Sequence, residues 1–206
     1  MAKYQYNAPM HLNGEIFCAV DTETTGLDCE KHSIIEICVL PLNGDYSVNK
    51  SILPFTCQMQ PIEGRIVDPE ALRVNKIELS EIMLTCLDAF KVLDLFVEWF
   101  EKLNLGLHKG IVPIAQNWPF DRGFLVNWMG DLTFRTIFSR HYRDTMSLAA
   151  SINDRCDIHN HPIQFPKLNL QSIANKFNIV NPDPHRALGD AWTTSQVYRQ
   201  LLMTQV

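Results

Sequence analysis

The stretch CAVDTETTGLD, residues 18–28, places two carboxylates, Asp21 and Glu23, at the end of an apolar run that begins at Ile16. A run of this kind reads as a buried strand over residues 15–21. Unpaired charge is expensive to bury, so the two acids need a cation, a proton or a cage of hydrogen-bond donors. Side chains two residues apart on a strand share a face, so Asp21 and Glu23 can converge on one point while Thr22 points the other way.

Working outward, IIEICVLPL (34–42) reads as a second strand and SVNKSILPFTC (47–57) as a third. Short connections, one carrying Asn43 and Gly44, predict that these neighbours run antiparallel. From Pro69 to Asn104 the period turns helical, and Phe90, Leu93, Val97 and Phe100 fall on one face. GIVPIAQN (110–117) reads as another buried strand. PFDRGFLVNWMG follows as a helix with Pro119 in its first turn. Further helices are expected over 144–152, 169–177 and about 186–203, with 154–167 as a long polar loop. Strands first, then strands alternating with helices, indicate an α/β protein with a mixed central sheet of about five strands flanked by helices on both sides.

A chain of 206 residues suits a single domain with a sizeable core, and no repeat or linker divides it. The first fifteen residues hold no apolar leader segment, and no apolar run reaches membrane-spanning length, so no membrane association and a cytoplasmic location are expected. The six cysteines form no CxxC pair and read as reduced thiols. Cys156, Asp157, His159 and His161 match no zinc-ligand spacing. A net charge of −5 argues against a broad basic surface for duplex nucleic acid, though not against a short strand held in a metal-containing cleft. Arg135, Arg140, His141 and Arg143 form the local basic cluster, read as either a phosphate track or a solvated surface.

Two further acids stand at element edges. Asp121 opens the helix after the 110–115 strand, and Asp190 lies in HRALGDA with His185. Carboxylates gathered at one sheet edge repel one another unless divalent cations neutralise them, and oxygen ligands favour Mg²⁺ or Mn²⁺. Taken singly, each residue has a plain alternative. A DxE pair can close a turn, Asp121 can complement a helix dipole, and a histidine can be an ordinary surface residue.

Together the three segments resemble the DEDDh (DnaQ-like) 3′–5′ exonucleases of the ribonuclease H-like superfamily. DTETTGL is similar to that family's first motif, AQNWPFD to its second and HRALGDA to its third, and DTMSLAA and LNLQSIANKFNI resemble the connecting helices. The resemblance spans about residues 15–203. There are two departures: Gln116 stands where the family usually has histidine, and VNKI (74–77) stands where many members have VHGI.

The resemblance implies two-metal phosphodiester hydrolysis at 3′ ends of DNA or RNA, releasing nucleoside 5′-monophosphates, with two Mg²⁺ or Mn²⁺ ions about 4 Å apart. Asp21, Glu23 and Asp190 would hold one ion, Asp21 and Asp121 the other, and His185 would be the general base. Thr24 and Leu27 would line the pocket for the terminal nucleotide, with Asn117 and Phe120 contacting it from the second motif. The expected partner is nucleic acid with a free 3′ end, single-stranded, with a polymerase partner or homodimer left open. Rival readings are an RNA-trimming or oligoribonuclease-type enzyme of the same fold, and an inactive nucleic-acid-binding module. If the last helix began at Pro184, His185 and Asp190 would diverge by about 140° around it. His185 is therefore expected on the preceding loop, Asp190 in the first two turns, and Gly189 where backbones approach closely.

Overall fold

The computed structural model describes residues 14–206, so the reading of the first fifteen residues falls almost wholly outside the described residues. β1 (Ile16–Thr24), β2 (Ile34–Pro41), β3 (Phe55–Gln58), β4 (Ile111–Ala115) and β5 (Arg143–Asp144) form one sheet in the order β3-β2-β1-β4-β5. β2 runs antiparallel to both of its neighbours, β1 and β3, whereas β4 and β5 run parallel to β1. β1 is therefore central and must be apolar on both faces, which explains its unbroken hydrophobic run.

Strand parity decides where the acids go. Ile16, Cys18 and Val20 face a core built with Phe96, Trp118, Phe124, Trp128 and Phe134. Phe17 and Ala19 face the opposite layer, where Ala187, Ala191 and Tyr198 of α8 (Ala187–Met203) pack. Continuing the alternation puts Asp21 and Glu23 on the α8 side and Thr22 on the side of α4 (Trp118–Met129). β1 pairs with β4 only through Ala19, so its acidic end projects past that neighbour. A register shift between Glu23 and Thr24, of the kind that re-aims side chains beside functional sites, interrupts the ladder with β2 just before its last pair, Thr24 with Ile34.

The first layer also contains α3 (Ala89–Leu103) and α5 (Asp131–Ile137). On the other face, α6 (Thr145–Ile158) and α7 (Leu170–Lys176) pack against α8. The helix-flanked mixed sheet expected from sequence is thus present. Several boundaries differ, however. The third strand is only Phe55–Gln58, with the earlier residues in a loop anchored by a Leu42–Val48 bridge. The 69–104 span is three helices: α1 (Pro69–Asn75) stops at Lys76 in the left-handed region, α2 (Leu79–Thr85) stops at an extended Cys86, and α3 follows. On α3 the buried stripe is Ala89, Val92 and Phe96, and Phe90 is exposed, because Phe96 meets Phe55 and Trp128 and so chooses between two stripes of equal spacing. α6 extends to Ile158, which shortens the expected polar loop, since Cys156 joins the apolar layer with Ile152 and Phe165.

Candidate active site

Asp21, Glu23 and Asp190 each offer a carboxylate oxygen within 4.8 Å of the others. β1 supplies the first two and the first turn of α8 the third. The approach is close because Gly189 has no Cβ: one built there would overlap the Asp183 carbonyl. Asp190 accepts from the Asn181 side-chain amide and from the backbone N–H of His185. His185 lies in an exposed turn before α8 with φ of 65°, so it and Asp190 fall where the helix-angle argument put them.

Asp121 lies outside this triad. It sits buried in the first turn of α4, and its Oδ1 accepts the Thr22 hydroxyl at 2.8 Å. Thr22 does point away from Asp21 and Glu23, and that brings it to Asp121. The four acids still feel one another. Burial, then the charges of Asp121, Glu23 and Asp190, push the Asp21 carboxyl well above its ordinary range. Glu23 is pushed up to about 8 by burial and by Asp190 and Glu36, with Arg186 opposing. Asp121 is pushed up to about 7 by burial, which the Thr22 hydrogen bond opposes. Asp190 is raised by burial, against the Asn181 hydrogen bond and the nearby His185. Such a set is unfavourable when empty, and its hard oxygen donors fit divalent cations. Among the described residues this triad is the cluster able to hold a metal ion. The zinc alternative has no support, because Cys156 is buried in α6.

A fifth carboxylate, Glu36, lies directly across the sheet from Glu23. Arg186 neutralises it, with Nε 2.8 Å from Glu36 Oε2, and Gln58 donates to the same oxygen. The pair-forming potential of Arg186 was not legible in the sequence, because its partner lies on a different strand.

The residues after Glu23 form a pinned turn. The Thr24 hydroxyl donates to the Gly26 carbonyl, and the Thr25 hydroxyl donates to Ile66 O while accepting from Ser33 N–H. This turn leaves Leu27, four residues beyond Glu23, 83% exposed. On α4, Asn117 occupies the left-handed region just before the helix, and Phe120 is half-buried against Phe124. The two departures from the family motifs hold the frame. Gln116 donates to Leu168 O at 2.6 Å and accepts the Thr145 hydroxyl, and Asn75 donates to Thr24 O at 3.0 Å. Asp144 serves a similar purpose that sequence reasoning missed. Its carboxylate accepts from Trp118 N–H at 2.6 Å and Ser147 N–H at 2.7 Å, anchoring α4 and capping α6.

Comparison with known proteins decides the lineage. The family model for exonucleases, RNase_T, matches residues 18–198. The chain belongs to this exonuclease family. It is accordingly a DnaQ-like exonuclease of the ribonuclease H-like superfamily, as its three motifs indicated. The chain is 26% identical over 182 residues to the PolC-type DNA polymerase III of Thermotoga maritima, covering 88% of this chain and 11% of that protein. The exonuclease therefore spans about a tenth of the length of such curated relatives. Among solved structures, the zinc-bound complex of E. coli ExoI with single-stranded DNA superposes with a TM-score of 0.72 at 15% identity, covering 93% of this chain and 41% of ExoI. The nuclease domain of 3′hExo, a DEDDh family member bound to rAMP, gives 0.65 at 18% identity, covering 98% and 94%. At these identities the likeness concerns the fold. No helix among the described residues is long and apolar enough to cross a membrane.

Proposed function

We propose that this exonuclease domain is a metal-dependent 3′–5′ exonuclease that removes nucleoside 5′-monophosphates from single-stranded DNA or RNA. The observation that carries the reading is the Asp21–Glu23–Asp190 triad within 4.8 Å, flanked by Asp121 across the end of β1. Mg²⁺ or Mn²⁺ held by these four carboxylates would activate the attacking water and neutralise charge on the phosphate oxygens. The chain's own residues supply the rest. β1 and α8 hold three acids on rigid elements, so little reorganisation is needed when substrate arrives.

His185 sits beside Asp190 on an exposed turn, where its imidazole can take a proton from water. The water oxygen bonds to phosphorus, the bond to the 3′-oxygen breaks, and that oxygen leaves on the shortened strand. The detached nucleotide keeps its 5′-phosphate. Leu27, exposed four residues beyond Glu23, is suited to wedge between the last bases. Thr24, Asn117 and Phe120 border the space left for the terminal nucleotide. Support for a strand as ligand comes from the ExoI complex with single-stranded DNA and from the rAMP bound to 3′hExo. All five catalytic positions are occupied by competent side chains, which favours an enzyme over an inactive binding module.

The test is hydrolysis of oligonucleotides labelled at either end, in single-stranded DNA, duplex DNA and RNA, with Mg²⁺ and with EDTA. Stepwise loss from the 3′ end, yielding 5′-monophosphates and stopped by EDTA, is expected. Products with 3′-phosphates, or cleavage of a circular single strand, would overturn the reading.

A further inference from the structure

We infer that a basic, aromatic cleft on the flank of α4 beside Asp121 binds single-stranded nucleic acid upstream of the 3′ end, deepening the exonuclease reading on which it rests. The cleft has a volume of about 820 Å³ and is lined by Lys109, Arg122, Arg135, Arg140, Trp118 and Tyr142. Four cations thus converge on one cavity in a chain that carries 18 basic and 23 acidic residues. Glu15 is the carboxylate among the lining residues. Arg135 is already paired with Asp131 at 2.8 Å. Among the described residues, no carboxylate lies within ion-pair distance of Lys109, Arg122 or Arg140. Three of the four like charges thus have no ion-pair partner, and an anion would relieve their mutual repulsion.

The aromatic groups narrow the class of anion. The Tyr142 ring is 48% exposed and leans on the buried Trp118 ring at 6.4 Å, so it offers an open face on a rigid backing. The Arg122 guanidinium lies over the Phe134 ring at 5.6 Å, which holds it within the cavity wall. Cations interleaved with an exposed ring suit a ligand that alternates phosphates and bases. The cleft runs from the starts of β1 and β4, beside Glu15 and Lys109, to the first turns of α4, where Arg122 adjoins Asp121 in sequence. Trp118 and Arg122 occupy one face of α4, and Asp121 lies about 100° around the same helix. A strand whose last nucleotide rests at Asn117 and Phe120 would pass the first turn of α4 and follow the cleft toward Lys109 at the start of β4. Arg143, grouped with these residues in the sequence, is diverted to the Phe17 ring.

Binding is measured in the catalytically silenced Asp21→Asn protein, using fluorescent oligo(dT) and oligo(U) of about twelve nucleotides against a trinucleotide. Adding Tyr142→Leu should weaken the long strand roughly 5-fold or more, the effect of losing one stacked base. Adding Lys109→Gln with Arg140→Gln should reduce the slope of log affinity against log salt by about 1.4, or about 0.7 for each phosphate no longer neutralised. The trinucleotide should bind unchanged. Equal losses for long and short strands, no loss for either, or saturation of the cleft by a mononucleotide with no gain from length would each overturn the proposal. If wild-type protein trims 3′ ends while these variants bind long strands normally, the cleft alone is refuted. If length-dependent binding is lost on substitution but no hydrolysis occurs, the exonuclease reading fails and the cleft stands.

Discussion

Arg186 and Glu36, 150 residues apart in sequence, meet through a 2.8 Å contact that ties the start of α8 to the strand beside Glu23. Glu36 is buried and Arg186 is partly exposed, so the pair is sheltered on one side only. Removing the guanidinium leaves a buried carboxylate uncompensated next to Glu23. Arg186→Gln should cost about 1–3 kcal/mol, below the full penalty for breaking a wholly buried pair, and lower activity about 10–100-fold. Chemical denaturation and turnover check both figures, and Glu36→Gln combined with Arg186→Gln should recover part of the stability.

The metal-free protein should lose stability as pH rises. Glu23 goes from 4.5 to about 8 and Asp121 from 3.8 to about 7 on folding, so the folded state holds protons that the unfolded state has released. Between about pH 4 and 8 the unfolded chain binds fewer protons, and unfolding becomes easier with each step upward. Mg²⁺ should reverse the trend, adding about 2.7 kcal/mol at a hundredfold excess over its dissociation constant. Melting temperatures across this range, with and without Mg²⁺, give the readout, and Glu23→Gln should flatten the metal-free curve. A Tm independent of pH and Mg²⁺ would contradict the assignment.

His185 calls for a substitution that respects its backbone. Its φ of 65° is tolerated by asparagine better than by alanine, so His185→Asn keeps the turn and its N–H to Asp190. Turnover should fall by roughly 10²–10⁴-fold, the usual loss for a general base, while Mn²⁺ binding measured by calorimetry persists. Unchanged turnover with an unchanged pH profile would demote the histidine to a loop contact.

Thr22→Val removes the hydroxyl that favours the charged form of Asp121 while preserving side-chain volume. Metal affinity should drop about 10–100-fold, as for other residues that orient a ligand, and the fold should survive. Titration with Mn²⁺ separates this from a loss of turnover alone.

Asp144→Ala strikes two helices at once, because one carboxylate anchors α4 through Trp118 and caps α6 through Ser147. With about 1 kcal/mol for each N–H left without its acceptor, roughly 2 kcal/mol of stability should disappear. A shift in the urea midpoint at constant m-value measures it.

Features governed by short-range periodicity were determined by the sequence itself. Alternation along β1 is enough to send Asp21 and Glu23 to one face and Thr22 to the other, and the 100° step of a helix keeps His185 off α8. Other features were decided only by the folded chain. Two stripes of α3 have equal spacing, and it was contact with Phe55 and Trp128 that turned Phe96 inward. The third strand shortened because only Phe55–Gln58 finds partners on β2, and α6 lengthened because Cys156 finds an apolar layer. Residues close in sequence were also parted, Arg143 to the Phe17 ring and Arg140 to the cleft shared with Lys109 and Arg122. The physical reason is common to all of these: period and backbone sterics act between neighbours along the chain, whereas pairing, burial and charge compensation act between residues that only the tertiary fold brings together.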